Sequence, residues 1–286
     1  MPILKSKPFN EKYPLVSSII PAYKEEENIV ACIDALLKQS YSNMEIIVVE
    51  NGESNDRTYE IAKSYEKKTK GKVKAFTIPG KQRGPGNALI YGFKKTRGKV
   101  ISLVGADLVY GKDYISKGII PILKGETVGV NHKEEVCKNL NNLWARAFFY
   151  KRSFIQSSGL SKVFTIIRKD YLKDHLWDPS LGYADDQTIY RKYGIEFKGL
   201  DLEIYQNNPS SFKEIWEHAS WVGKSMKINP LLVILSFPLF PLYALYKTIR
   251  HLAKDDFYIP FIIFLPIYYS VRYIAYFKES LKKLLT

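Results

Sequence analysis

The chain has 286 residues, 46% of them hydrophobic, and a formal net charge of +14. That much apolar side chain can bury a sizeable core, which excludes a disordered chain and admits one large domain or a domain with an appendage. The excess of Lys and Arg calls for an acidic partner, with nucleic acid, nucleotide phosphates and an anionic membrane surface as the candidates. The two cysteines, Cys32 and Cys137, are too few for a disulfide framework and stand in no metal-ligand spacing, so they read as buried thiols.

The first fifteen residues, MPILKSKPFNEKYPL, hold no apolar stretch of signal-peptide length, so the main body is expected in the cytoplasm. Residues 16–20 are a β-rich apolar run. Residues 26–39 then place Ile29, Ile33, Leu36 and Leu37 at helical spacing, and 45–49 (EIIVV) read as a second buried strand. Ser54 or Asn55 is placed to cap a helix running to about residue 70; 73–78 form a third strand, 87–96 a third helix and 99–104 a fourth strand. This rhythm predicts an α/β fold, a mostly parallel, doubly wound sheet flanked by helices. In such sheets ligands bind beyond the carboxyl ends of the strands, where the strand order reverses.

Those strand ends carry the chemistry. Strand one ends in Pro21-Ala22-Tyr23-Lys24-Glu25 and strand two in Glu50-Asn51-Gly52; strand four, ISLVGADLVY, ends in Gly105, Ala106 and one carboxylate, Asp107. No G-x-G-x-x-G follows strand one and no G-x-x-x-x-G-K-[ST] occurs, which argues against a dinucleotide-binding dehydrogenase and a P-loop enzyme. The stretch GKQRGPGN at 80–87 is glycine-rich and basic and leads into a helix. It reads either as a place where backbone N–H groups face a phosphate or as an ordinary loop. Lys63, Lys67, Lys68, Lys70, Lys72 and Lys74 lie on a predicted surface helix and its turn, where a solvated face accounts for them. With no zinc-finger spacing and no base-stacking aromatic pattern, nucleic acid is not expected as a partner.

Composition changes near the end. Residues 230–246 and 257–271 carry no charge except at their flanks, are rich in Tyr and Phe and contain prolines. Both are short for a bilayer span of about 20 residues. Crossing as a hairpin would export Lys247, Arg250 and Lys254, against the positive-inside tendency. A re-entrant or interfacial membrane-associated pair is therefore the expectation, with a packed core as the alternative.

Taken in order, the runs VSSIIPAYKEEENI, EIIVVENGESNDRT, GPGNALIYGF, RGKVISLVGAD and GYADDQTIYRKYG resemble the inverting family 2 glycosyltransferases of GT-A fold. The resemblance covers about residues 14–228. It implies a GT-A domain over 1–228, with a nucleotide-sugar half at about 14–110 and an acceptor half at about 111–228, followed by C-terminal membrane-associated helices at 229–286. In the family the fourth strand ends in D-x-D, whose last acid holds a divalent metal, Mg²⁺ or Mn²⁺, on the two phosphates of the donor. Asp107 matches that acid, and Gly105 stands where the first acid usually is.

By the same resemblance Pro21, Ala22, Tyr23 and Glu25 line the nucleobase and ribose, and Glu50 and Asn51, with Gly52 after them, replace the usual acid pair at the second strand end. Arg83, Asn87, Ala106, Trp221 and Lys224 complete the donor-side set. Asp186 matches the family's base, which takes the proton of an acceptor hydroxyl, and Asp185 shapes the pocket; capping of a helix start is the plainer alternative for both. An amphipathic helix is predicted over 211–227, with Phe212, Ile215, Trp216, Ala219, Val222 and Met226 on one face. Of the family's processive signature Q-x-x-R-W only Trp221 is matched, so processive synthesis is not expected.

The combined expectation is a hexosyltransferase of the cell membrane, its catalytic domain on the cytoplasmic side. It would move one sugar, with inversion, from a UDP- or GDP-sugar to a lipid-linked acceptor, a polyprenyl-linked saccharide or glycolipid, in glycolipid biosynthesis or protein glycosylation. Two alternatives stay open: a polyprenyl-phosphate glycosyltransferase similar to dolichyl-phosphate mannose synthase, and an inactive nucleotide-sugar-binding membrane scaffold. The chemistry is expected before Lys227 and the determinants of location after it.

Overall fold

Four parallel strands open the computed structural model, which describes residues 4–52, 55–79, 84–152, 159–225, 229–252 and 260–285. They are β1 (Val16–Ala22), β2 (Met44–Glu50), β3 (Val73–Thr77) and β4 (Val100–Leu103). Three helices cross between them: α1 (Ile29–Leu37), α2 (Thr58–Lys68) and α3 (Pro85–Lys95). Helices cover both faces, so the strands are buried on both sides and read as continuous apolar runs. Val16 and Ile20 of β1 join Ile29, Ile33 and Leu36 of α1 in one core cluster. Ile19, pointing the other way, joins Leu89 and Phe93 of α3 in a second. At that face Gly92 lets α3 lie close, since a Cβ there would come 2.6 Å from Ile19 Cγ2.

The later elements are shorter. They are β5 (Leu108–Tyr110), α4 (Tyr114–Leu123), β6 (Gly129–His132), β7 (Val136–Cys137), α5 (Leu143–Arg152), β8 (Leu160–Ser161), β9 (Ile166–Arg168), α6 (Lys169–Lys173), α7 (Thr188–Tyr193), β10 (Phe197–Leu200) and β11 (Ile204–Gln206). The main sheet runs β3-β2-β1-β4-β9-β6-β10-β8. β9 is antiparallel to both β4 and β6, and β8 is antiparallel to β10, so the sheet is mostly parallel. β5 and β11 pair antiparallel in a separate small sheet. In the main sheet the order reverses between β1 and β4. Registers of Ala22 with Glu50, Glu50 with Thr77 and Ile19 with Leu103 bring the carboxyl ends of β1 to β4 to one edge.

By packing, the chain forms two compact units: one of Met1–Val136, Ile155–Pro179 and Ala184–Gln206, the other of Cys137–Phe154, Ser180–Tyr183 and Asn207–Thr286. The second is helical, with α8 (Phe212–Lys224), α9 (Pro230–Ser236), α10 (Phe240–Leu252) and α11 (Phe261–Leu285) joining α5. A reciprocal cap starts α8: Ser211 Oγ accepts from the Glu214 N–H and donates to the Glu214 carboxylate at 2.7 Å. Ile215 and Ala219 of α8 pack with Phe264, Leu265 and Tyr268 of α11 and Phe148 of α5. Gly223 passes so close to the Arg272 carbonyl that no Cβ would fit.

The amphipathic pattern of 211–227 is thus split. Ile215, Ala219 and Val222 are buried, whereas Phe212 and Trp216 are about half exposed; Met226 lies outside the described residues. The two apolar C-terminal runs also part company. The described portion of 257–271 becomes the first half of α11, and its Phe264, Leu265, Tyr268 and Val271 form the helical core, which accounts for them without lipid. The run Pro230–Arg250 does the reverse: Leu235 is 67% and Leu242 64% exposed. Among the described residues it is the one helical run long and apolar enough to cross a membrane, by length and composition alone.

Candidate active site

The strand order reverses between β1 and β4, and the carboxyl ends at such a reversal are the usual ligand position in sheets of this kind. Asp107 lies there, exposed, two residues past Gly105, with Ala106 buried beside it. The turn after β1 places Lys24 in the left-handed region, φ 58°, rare for a residue with a side chain. It leaves Pro21 half-buried and Tyr23 exposed, and turns Glu25 inward. The Asn28 side chain donates to the Glu25 carboxylate at 2.9 Å, and the Glu25 N–H donates to Thr58 Oγ1 at 2.8 Å. Desolvation, aided by the charges of Asp107 and Asp56 and opposed by the Asn28 bond, pushes the Glu25 carboxyl up to about 7. Glu25 and Asp107 therefore feel each other's charge.

A second set of contacts ties β2 to a distant pair of acids. The Asn51 N–H donates to the Ala22 carbonyl at 2.8 Å, and Asn51 Oδ1 accepts from the Gly84 N–H at 2.7 Å. Gly52 (φ 88°) and Gly84 (φ 119°) supply the backbone turns that only glycine adopts readily. Two residues on, the Gly86 N–H donates to the Asp185 carboxylate. A Cβ at Gly86 would lie 2.7 Å from Asp185 Oδ2, so the second glycine of GPGN is the place where that acid docks. The N–H groups of Gly84 and Gly86, which could have faced a phosphate, are taken by Asn51 and Asp185, in keeping with the alternative reading of an ordinary loop. Asn87, next in the helix, is half-buried, and Arg83 lies outside the described residues.

Asp185 is buried, and burial pushes its carboxyl up to about 6 despite the Gly86 N–H. Asp186, the next residue, is open to solvent yet crowded by surrounding protein. That desolvation, together with the Asp185 charge, pushes it up to about 6 as well. The pair sits at the end of a 3₁₀ segment, Pro179–Gln187, just before α7. Capping is therefore part of the answer for Asp185, but of α3 and not of the helix that follows it. Of the two acids, Asp186 is the exposed one.

Glu50, at the end of β2, is 2% exposed, a strand-end acid turned into protein. Trp221 and Lys224 are exposed on α8 in the second unit. Some residues at the sheet edge were not singled out in the sequence. Asp56 accepts from Thr58 Oγ1 at 2.8 Å and from the Glu26 N–H at 3.2 Å, tying the start of α2 to the loop after β1. The signal was present in ESNDRT, where an Asp two residues ahead of a Thr suits a turn into a helix.

The donors fit a divalent ion. Asp107 offers hard carboxylate oxygen at the edge, and its charge adds to the desolvation that raises the Glu25 carboxyl. Among the described residues no group of three or more His, Cys, Asp or Glu gathers to hold a metal. Mg²⁺ commonly uses one or two carboxylates and takes its other ligands from water and substrate phosphates.

A model of the family "Glycosyl transferase family 2" matches residues 17–192, more than half of the chain. The chain belongs to glycosyl transferase family 2. This family 2 chain is 38% identical over 113 residues to the uncharacterized glycosyltransferase EpsJ of Bacillus subtilis, a match covering 40% of the chain and 30% of that protein. It is 33% identical over 111 residues to the glycosyltransferase AglE of Haloferax volcanii, covering 38% of the chain and 36% of that protein. The chain thus spans about a third of the length of these relatives. Among solved structures, the mannosyltransferase PcManGT of Pyrobaculum calidifontis, in complex with GDP-Man and Mn²⁺, superposes with a TM-score of 0.57 at 16% identity, covering all of the chain and 78% of that structure. S. aureus TarS 1–349 with UDP-GlcNAc gives 0.52 at 15% identity, covering 94% and 91%. At such identities the likeness establishes the fold, and the α/β architecture of this family 2 chain is of GT-A type.

Proposed function

We propose that the chain moves a single sugar, with inversion, from a nucleotide-sugar to a lipid-linked acceptor at a membrane surface. The observation that carries this reading is the division of labour among its acids. Asp107 is exposed at the strand-order reversal, where diphosphate would lie, and Asp186 is exposed beside an acid docked on α3. Asp107 would hold Mg²⁺ or Mn²⁺, which supplies positive charge to the departing nucleoside diphosphate. Pro21, Ala22, Tyr23 and Glu25 would receive the nucleoside; Asn51, Gly52, Asn87 and Ala106 shape the donor floor. Trp221 and Lys224 remain candidates for the donor side by resemblance alone, as do Arg83 and Glu50.

An acceptor hydroxyl must lose its proton as it attacks the anomeric carbon opposite the leaving group. A carboxylate held near 6 is largely ionised at neutral pH and is a better proton acceptor than an ordinary Asp. Asp186 takes that proton. Asp185 keeps its neighbour in place through its bond to α3. PcManGT with GDP-Man and Mn²⁺, and TarS with UDP-GlcNAc, support the choice of a GDP- or UDP-sugar as donor. The exposed leucines of Pro230–Arg250 support a lipid surface and with it a lipid-linked acceptor; the catalytic unit would lie on the cytoplasmic side.

The test is a panel of labelled UDP- and GDP-sugars incubated with the full chain, Mn²⁺ and membrane lipid extract. Label entering the organic phase with one donor is the expected result. Binding of nucleotide-sugars with no transfer across the panel would replace this reading with that of a binding scaffold.

A further inference from the structure

The turn that carries Asp107 is gripped by two side chains outside the acidic motif. The Gly105 N–H donates to the Tyr110 hydroxyl at 3.0 Å. The Gly105 carbonyl accepts from the Cys32 thiol at 3.4 Å and from the Leu108 N–H at 3.2 Å. Both side chains are rigidly housed, Cys32 being 0% and Tyr110 3% exposed. The Tyr110 ring stands edge-on to Tyr114, with centroids 4.7 Å apart, and the Tyr114 hydroxyl in turn bonds Thr165 Oγ1 at 2.8 Å. The Tyr110 backbone is fixed as well, paired with Ile204 across β5 and β11.

A second, independent observation concerns the missing side chain at Gly105. A Cβ there would lie 2.8 Å from Leu108 Cδ1 and 2.9 Å from Asp107 Oδ1. The Asp107 carboxylate folds back into the space that a larger residue would need. Both clashing atoms are at the far ends of side chains, so a larger residue would displace the carboxylate and leave the turn intact.

We infer that Cys32 and Tyr110 are positioning residues that clamp Gly105, and that the clamp and the bare glycine together hold the Asp107 carboxylate in the posture that takes a cation-bound diphosphate. The inference rests on the donor site proposed above. In this chain a buried thiol and a buried phenol grip the glycine that stands in place of an acid, so the turn is fixed by them where no second carboxylate is present.

The experiment titrates the full chain with Mn²⁺ in the presence of GDP and, separately, UDP, reading free Mn²⁺ by its paramagnetic resonance signal, with thermal melting alongside. Tyr110→Phe removes one hydroxyl and leaves the Gly105 N–H unpaired, and Gly105→Ala pushes the carboxylate; each is expected to weaken Mn²⁺ binding about fivefold to tenfold. Cys32→Ala is expected to weaken it, and Cys32→Ser, which still offers a donor to the Gly105 carbonyl, to restore it; a merely structural thiol would not show that rescue. Wild-type Mn²⁺ affinity in folded Tyr110→Phe and Gly105→Ala, with binding lost in Asp107→Ala, would overturn the clamp while leaving the donor site standing. Absence of nucleotide-linked Mn²⁺ binding in the wild-type chain would instead remove the donor site and the clamp with it.

Discussion

The sheet edge and the helical unit use exposure in opposite ways. At the edge two acids, Asp107 and Asp186, stand open while their neighbours Ala106 and Asp185 are buried. In the helical unit one run exposes apolar side chains, with Leu231, Leu232, Leu235, Leu239, Leu242 and Leu245 all more than half open. Isolated exposed leucines are ordinary, but a run of them marks a surface that meets something other than water. The edge therefore speaks of chemistry and the helical run of surroundings, and changes in each should break different properties.

The largest effect is expected at Asp186. Asp186→Asn keeps the shape and removes the proton acceptor, so the transfer rate should fall about 10²- to 10⁴-fold with donor affinity nearly unchanged. A mild loss would point to an acceptor already ionised, such as a polyprenyl phosphate. Next comes Asp107: Asp107→Ala, or excess EDTA on the wild type, should reduce the rate by about two orders of magnitude or more. Full activity in EDTA would remove the metal from the account.

The helical run should respond in location. Each leucine fully buried in lipid contributes about 1.5–3 kcal/mol, against about 1 kcal/mol for each Lys near an anionic surface. Salt at about 1 M, which shortens the screening length to about 3 Å, should therefore leave the full chain on membranes that detergent strips. Replacing Leu232, Leu235 and Leu242 with Ser should release it while nucleotide binding persists. Release of the wild type by salt alone would make this run a protein interface.

The smallest effect sharpens the edge alone. With the Asp186 carboxyl held at about 6, transfer should rise with pH through that value and level off above it, and the rise should vanish in Asp186→Asn. The same raised values act on stability in the opposite sense. Glu25, Asp185 and Asp186 bind protons more tightly folded than unfolded, so their contribution is fully present below the unfolded carboxylate range and is lost as pH climbs through about 6 to 7. Melting temperatures measured without metal should fall across that interval, and Mn²⁺ with nucleotide should recover part of the loss.

How much of this was legible in the sequence follows from how local each signal is. β1, β2 and β4 are rich in Val and Ile and bounded by Pro, Gly and polar residues, and the sequence placed all four strands, along with α3. α2 starts only at Thr58, behind Arg57 and without a side-chain cap, so Asn55 does not cap it, and Ser54 lies outside the described residues. α1 starts at Ile29, three residues later than its pattern indicates, because Asn28 and Ile29 donate to the Glu25 carbonyl in a turn of their own. β5 to β11 have two to four residues each and no period to read; they exist because a neighbouring strand pairs with them. Asp107 was legible as an acid at a strand end. The docking of Asp185 on Gly86 and the grip of Cys32 and Tyr110 on Gly105 join residues with no local pattern between them, so Cys32 read only as a buried thiol. The second apolar run illustrates the same limit. Composition cannot tell a lipid-facing helix from the core of a helical unit, and α11 is the partner on which α8 packs. Removal of everything after Lys227 would consequently strip α8 of its core, which makes point changes on the outer leucines the cleaner probe of location.

On the proposed function, a divalent ion on Asp107 would meet the donor's diphosphate at the reversal between β1 and β4. A crystal of the full chain grown with Mn²⁺ and GDP or UDP, with the ion located by its anomalous scattering, tests it most directly. The account requires Mn²⁺ in direct contact with the Asp107 carboxylate and with the diphosphate, and the nucleoside against Pro21 to Glu25. Nucleotide bound away from that edge, or bound there with Mn²⁺ absent from Asp107, would contradict it.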